Sequence, residues 1–278
     1  MSTGPAREHP AAATPHVARG FSAASGRYDA TVAPNAMGAH RLVASLPDGP
    51  LPRALDLGCG TGFASLELVE QRGTTSVIGV DPSAGMLDAF RAKLASHPGV
   101  DVDLREATYD EMGVAPGSVD VAISTMAFHW FTDRFAAAAA MSDAVRPGGL
   151  IAALAPAWGS DVEFVEAARR IDPPAPPEWF EAFTRFLVDP AEMEAAFAAA
   201  PVDLLDVWVE ERLRRAPPEA FLERMRTVAT HVFLKTPGYA EADLQAAWDA
   251  TEAEIRRTAG PKGFEWTFNK VYVIARRR

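Results

Sequence analysis

Between Arg53 and Ala155, short apolar runs alternate with segments whose apolar residues recur every three or four positions. RALDLG, TSVIGVD, VDVDLRE, SVDVAIST and GGLIAALA have the length of strands. GFASLELVEQRG, SAGMLDAFRAKLASHPG and DRFAAAAAMSDAVRPGG have a helical period and stop at glycine, the last with Pro147 beside its glycine pair. This alternation predicts βαβ units and a parallel sheet covered by helices.

Beyond Ala155 the pattern changes. Residues 156–201 keep a helical period broken by a proline-dense hinge at Asp172 to Pro177, which predicts a helical cap inserted after the fifth strand. Its aromatic residues, with Phe233 further on, suggest an apolar cavity. In 202–278, VDLLDVWVEERLR and EWTFNKVYVIARR predict two closing strands around a helical segment from Pro217 to Ala259. The expected architecture is α/β, a doubly wound seven-stranded and mostly parallel sheet with a helical cap. Residues 1–20 lack a basic start followed by an apolar stretch and are expected to be a disordered tail rather than an export signal. Residues 21–155 then form a cover segment and the core.

Composition narrows the chemistry. The 278 residues are 48% hydrophobic and 23% charged, and none of the apolar runs reaches the ~20 residues of a membrane span, so a cytoplasmic protein is expected. A net charge of −10 opposes nucleic acid as a partner and favours a small-molecule substrate. The single cysteine, Cys59, leaves no intrachain disulfide or cysteine-based metal site. His, Asp and Glu show no metal-ligand spacing, and there is no G-x-S-x-G elbow. The oligomeric state is left open. The arginine pairs Arg169–Arg170 and Arg214–Arg215 read as solvated faces, with contact to an acidic substrate as the other reading.

The first strand runs into Asp56-x-Gly58-x-Gly60-x-Gly62. A dinucleotide turn needs a third small residue for close helix packing; counted from Gly58 that position is Phe63, and from Gly60 it is Ser65. A nicotinamide-dependent oxidoreductase is therefore the disfavoured alternative. Glycine at these positions lets the backbone bend closely around a ligand. Asp81 ends the second strand, where a carboxylate can accept both hydroxyls of a ribose.

The glycine spacing resembles motif I of the class I S-adenosylmethionine-dependent methyltransferases. FSAASGRYDATVAP and MAFHWFTD are similar to segments of the subgroup containing the trans-aconitate, ubiquinone/menaquinone and malonyl-carrier-protein enzymes. The resemblance implies S-adenosylmethionine as cofactor and S-adenosylhomocysteine as its product. It assigns Asp56, Gly58, Cys59, Gly60 and Gly62 to the cofactor loop and Asp81 to the ribose. Met86 would lie near the adenine, Glu106 would stand at its amine where the family has Asp, and Ala107 would contribute backbone. Tyr28 would belong to a segment folding over the cofactor, and Thr125 would end the fourth strand beside it.

His129 follows that strand at the sheet edge where such folds bind ligands, and an unperturbed pKa of about 6.5 suits proton transfer at neutral pH. General base, substrate hydrogen bonding and packing remain its three readings. The expected activity is methyl transfer to a carboxylate, phenol or activated carbon of a small molecule. The alternative is a protein that binds S-adenosylmethionine structurally or for non-methylating chemistry.

Overall fold

The computed structural model describes residues 15–278. Two helices lead in, α1 (Pro15–Thr31) and α2 (Ala33–Ala44). The core follows as β1 (Arg53–Leu57), α3 (Phe63–Arg72), β2 (Ser76–Val80), α4 (Ala84–Leu94), β3 (Asp101–Arg105), β4 (Val119–Thr125), α5 (Arg134–Ala144) and β5 (Val145–Pro156). Then come α6 (Val162–Arg170), α7 (Pro177–Phe186), α8 (Pro190–Ala198), β6 (Val202–Glu210) and β7 (Leu213–Ala216). The chain closes with α9 (Pro218–Val228), α10 (Thr230–Phe233), α11 (Glu241–Thr258), β8 (Phe264–Thr267) and β9 (Lys270–Arg277).

Seven strands form one sheet in the order β3-β2-β1-β4-β5-β9-β6, parallel except for β9, which runs antiparallel to both neighbours. The doubly wound, mostly parallel α/β architecture is therefore as expected. Strand order reverses between β1 and β4, which opens the ligand crevice at their C-terminal ends. Both faces of the central strands are buried, with the two-residue period of strands. In β5, Ile151, Ala153 and Ala155 join the layer under α5 and α8, whereas Leu150, Ala152 and Leu154 join the layer under α2 and α3. Continuous burial explains why these strands read as unbroken apolar runs.

Three expectations change at the ends of the chain. Helix α1 begins at Pro15, so 15–20 are helical rather than part of a tail, and residues 1–14 lie outside the described residues. The two expected closing strands each split: β6 pairs with β9 in the main sheet, and β7 pairs with β8 in a separate two-stranded ribbon. The break falls at Phe268–Asn269, where the backbone of Asn269 bonds Ser160 and Ala157. The cap is also more than an insertion after β5. Helix α8 packs on α5 and β6, while the cap core joins Phe164 and Trp179 to Phe221, Phe233, Trp248 and Trp266 from the later segment. These aromatic residues are far apart in sequence and bury one another, which periodicity within either segment alone cannot reveal.

Candidate active site

A cavity of about 290 Å³ lies at the β1/β4 switch point. Its floor is the glycine loop, whose residues Gly58, Gly60 and Gly62 all have left-handed φ, at 72°, 52° and 86°. A Cβ on Gly58 would stand 2.2 Å from the Ala127 Cβ, so this glycine brings the loop against the end of β4. At Gly60 a Cβ would meet no protein atom within 4 Å, and this residue lines the cavity. Gly62 serves helix packing instead, since its Cβ would lie 2.3 Å from the Phe90 ring and its absence lets α3 start against α4.

Asp81 stands on the cavity wall at the end of β2. Its Oδ2 accepts the Gly60 N–H and its Oδ1 accepts the Ser83 N–H, both at 2.9 Å. Burial pushes its carboxyl up to about 6, with those two hydrogen bonds acting against the rise. Each oxygen keeps a further lone pair for a ligand hydroxyl.

Of the other residues singled out in the sequence, Tyr28, Cys59, Met86, Ala107 and Thr125 line this cavity together with Gly58, Gly60 and Asp81. Burial raises the Cys59 thiol well above its ordinary value, so it serves as an uncharged wall. Three of the residues assigned to the cofactor lie elsewhere. The Asp56 carboxylate is fully buried beneath the loop, accepting the Ser65 N–H at 3.1 Å and the Ser65 hydroxyl at 2.6 Å. Gly62 packs on Phe90, and Glu106 is exposed beyond the end of β3, where Thr108, Tyr109 and Asp110 supply the wall instead.

The roof is helix α1. Val17, Ala18, Phe21 and Tyr28 face the cavity. The Ser22 and Ser83 hydroxyls share a hydrogen bond of 2.8 Å, and the Thr61 hydroxyl donates to Asp29 at 2.6 Å. Only Tyr28 of this roof was singled out in the sequence; the others lie on a helix whose small and polar residues give no strong amphipathic signal.

A second cavity, about 90 Å³, shares Phe21, Tyr28, Met126 and Trp130 with the first. His129 lines this one and not the first. It sits in a single helical turn, Phe128–Trp130, with its ring tilted against Trp130 at 5.0 Å. The remaining walls come from β5, the cap and the closing segment, among them Phe183, Phe233, Phe268, Asp161 and Arg224. Met126 and Asp161 carry the two positive φ values found outside glycine among the described residues, 54° and 53°, and both border this cavity. Backbone strain of this kind concentrates at functional sites.

The seven-stranded sheet with a cavity at its switch point is the setting for the comparisons with known proteins. Residues 54–149 match the family described as a methyltransferase domain. More particularly, the chain is 33% identical over 156 residues to a malonyl-[acyl-carrier protein] O-methyltransferase of Serratia marcescens, a match covering 56% of this chain and 58% of that protein. It is 32% identical over 119 residues to a trans-aconitate 2-methyltransferase of Deinococcus radiodurans, covering 43% of each. The chain thus spans about half the length of these curated relatives. Among solved structures, the YcgJ protein from Bacillus subtilis matches with a TM-score of 0.58 at 16% identity, over 87% of this chain and 99% of that one, a likeness of fold. Among the described residues no helix is long and apolar enough to cross a membrane, and no group of His, Cys, Asp and Glu could hold a metal ion.

Proposed function

We propose that this protein is a cytoplasmic S-adenosylmethionine-dependent methyltransferase acting on a small organic molecule. The observation that carries the reading is the pairing of Gly60 and Asp81. An open backbone position with left-handed φ and a carboxylate on the facing strand end border one cavity at the switch point. That cavity fits the cofactor by the chemistry of its walls: a carboxylate for a diol, thioether and aromatic side chains of Met86, Tyr109 and Phe131 for a flat base, and a glycine cradle for an amino-acid moiety. S-adenosylmethionine supplies an electrophilic methyl group when bound.

The chain's own residues bind, orient and exclude water. Helix α1 covers the cofactor cavity, and Trp130, Phe21 and Met126 stand between that cavity and the acceptor side. Holding an acceptor in line by such walls is worth ~7–11 kcal/mol of barrier. His129, buried on the acceptor side, is placed to orient an acceptor hydroxyl or take its proton at a ring nitrogen.

The test is calorimetric titration of the full chain with S-adenosylmethionine, S-adenosylhomocysteine and NAD, followed by an S-adenosylhomocysteine release assay over organic acids and phenols. Both sulfur ligands bind and NAD does not, and Asp81→Ala weakens binding ~10- to 100-fold, the worth of hydrogen bonds to a charged group. His129→Ala keeps cofactor affinity and lowers turnover, by ~10²–10⁴-fold if it moves a proton. Binding of NAD alone, or an Asp81→Ala variant with unchanged affinity, overturns the assignment. Binding without product release over the whole panel favours a non-methylating role.

A further inference from the structure

The second cavity has an electrostatic character that its aromatic walls conceal. Phe268, on its floor, is approached by three cations: the Arg224 guanidinium carbon at 4.9 Å from the ring centroid, the Lys270 Nζ at 5.5 Å and the Arg214 guanidinium carbon at 5.8 Å. The nearby carboxylates already have partners. Asp161 pairs with Arg224, Glu163 accepts the backbone and hydroxyl of Thr267, and Glu210 is engaged by Arg41, Arg212 and the Tyr272 hydroxyl. Burial lowers the Lys270 ammonium to about 8, with Arg214 adding to the fall and Glu210 opposing it.

Two polar atoms in this cluster are buried without a hydrogen-bond partner among the described residues, Nε of Arg224 and Nε of Arg214. Arg224 is 8% exposed, lines the cavity and spends one end of its guanidinium on Asp161. A buried donor left unmatched costs about 1–3 kcal/mol, so its retention at a cavity wall points to an acceptor that arrives with a ligand. The rest of the enclosure is apolar. Phe183, Phe186 and Phe233 face the cavity with Phe268, a set of ring surfaces suited to another flat ring.

We propose that the second cavity binds the methyl acceptor as an organic acid with an apolar, ring-bearing body and one acidic group, and that Arg224 holds that group. The proposal rests on the methyltransferase reading of the adjoining cavity. A guanidinium matches a carboxylate in shape as well as charge, and in this water-poor setting the interaction separates an acid from its isosteric amide. Arg214 and Lys270 strengthen the field without lining the cavity themselves.

The experiment is calorimetric titration of the full chain, with and without saturating S-adenosylhomocysteine, using phenylacetate, phenylacetamide and malonate as probes. Phenylacetate binds, and phenylacetamide and malonate each bind at least tenfold more weakly. Arg224→Gln weakens phenylacetate binding at least tenfold while S-adenosylhomocysteine affinity stays as in the parent. Because removing Arg224 leaves the Asp161 carboxylate uncompensated, the double variant Asp161→Asn with Arg224→Gln, which keeps the pair neutral, carries the same expectation. Equal affinity for acid and amide, malonate binding as tight as phenylacetate, no binding of any probe, or unchanged phenylacetate binding in both variants each overturns the proposal. Loss of S-adenosylhomocysteine binding in the parent would instead overturn the methyltransferase reading, and the titration without it still reports on the acid site.

Discussion

The Thr61 hydroxyl donates to the Asp29 carboxylate at 2.6 Å beside the larger cavity, and Lys93 pairs with the same carboxylate. One side chain of α1 thereby ties the roof to the glycine loop and to α4. The Ser22–Ser83 hydrogen bond makes a second tie near the start of α4. A ligand beneath α1 has to enter by loosening these bonds or by passing the end of the helix.

Asp29→Ala therefore unlatches the roof. Hydrogen exchange along α1 accelerates, and S-adenosylhomocysteine binds several-fold more weakly, in keeping with about 1 kcal/mol for a hydrogen bond of this type. Unchanged exchange protection in the variant would show that packing of Phe21 and Val17 alone seats the helix.

The glycines of the loop divide their labour, and alanine substitutions separate the roles. Gly62→Ala drives a Cβ to 2.3 Å from Phe90, an interior ring with no room to move, so the variant loses about 1–3 kcal/mol of stability and unfolds at lower denaturant. Gly60→Ala meets no protein atom, carries only the left-handed backbone cost of about 1–2 kcal/mol, and loses ligand affinity well beyond that change. Equal effects of the two substitutions on stability and affinity would contradict this division.

Asp56 makes stability depend on pH. Burial raises its carboxyl from 3.8 to about 7, the bonds from Ser65 lower it, and the nearby Asp81 charge adds to the rise. Its Oδ1 has no hydrogen-bond partner among the described residues. The folded state thus favours the protonated acid. Its stabilising contribution is full below about pH 4 and is lost as pH rises through about 7. Asp56→Asn keeps an oxygen for Ser65 and removes the titration, so its melting temperature relative to the parent rises between about pH 4 and about pH 7 and levels off above. A difference that stays level across that range would mean that Asp56 does not titrate there.

Much of this protein is written in local patterns. The strand runs, the helices ending at glycine, the Asp56–Gly62 spacing and Asp81 at a strand end are legible because each depends on residues close in sequence and on backbone rules that operate within a turn or two. Tertiary structure decided the rest. Asp56 and Glu106 belong to familiar segments, yet one carboxylate turns under the loop to Ser65 and the other stands in the open, because a side chain's face depends on what packs behind its strand. Arg214 belongs to an arginine pair that reads as a solvated face or as a contact for an acidic substrate, and only the packing of the β7/β8 ribbon and α9 brings it and Arg224 beside Phe268. The cap core likewise joins Phe164 to Trp248 across two separate segments. Sequence by itself determined the sheet and the glycine turn after β1, since local backbone geometry builds them; the second cavity is made from residues remote along the chain, and only long-range packing decides which of their charges are buried and which cavity they face.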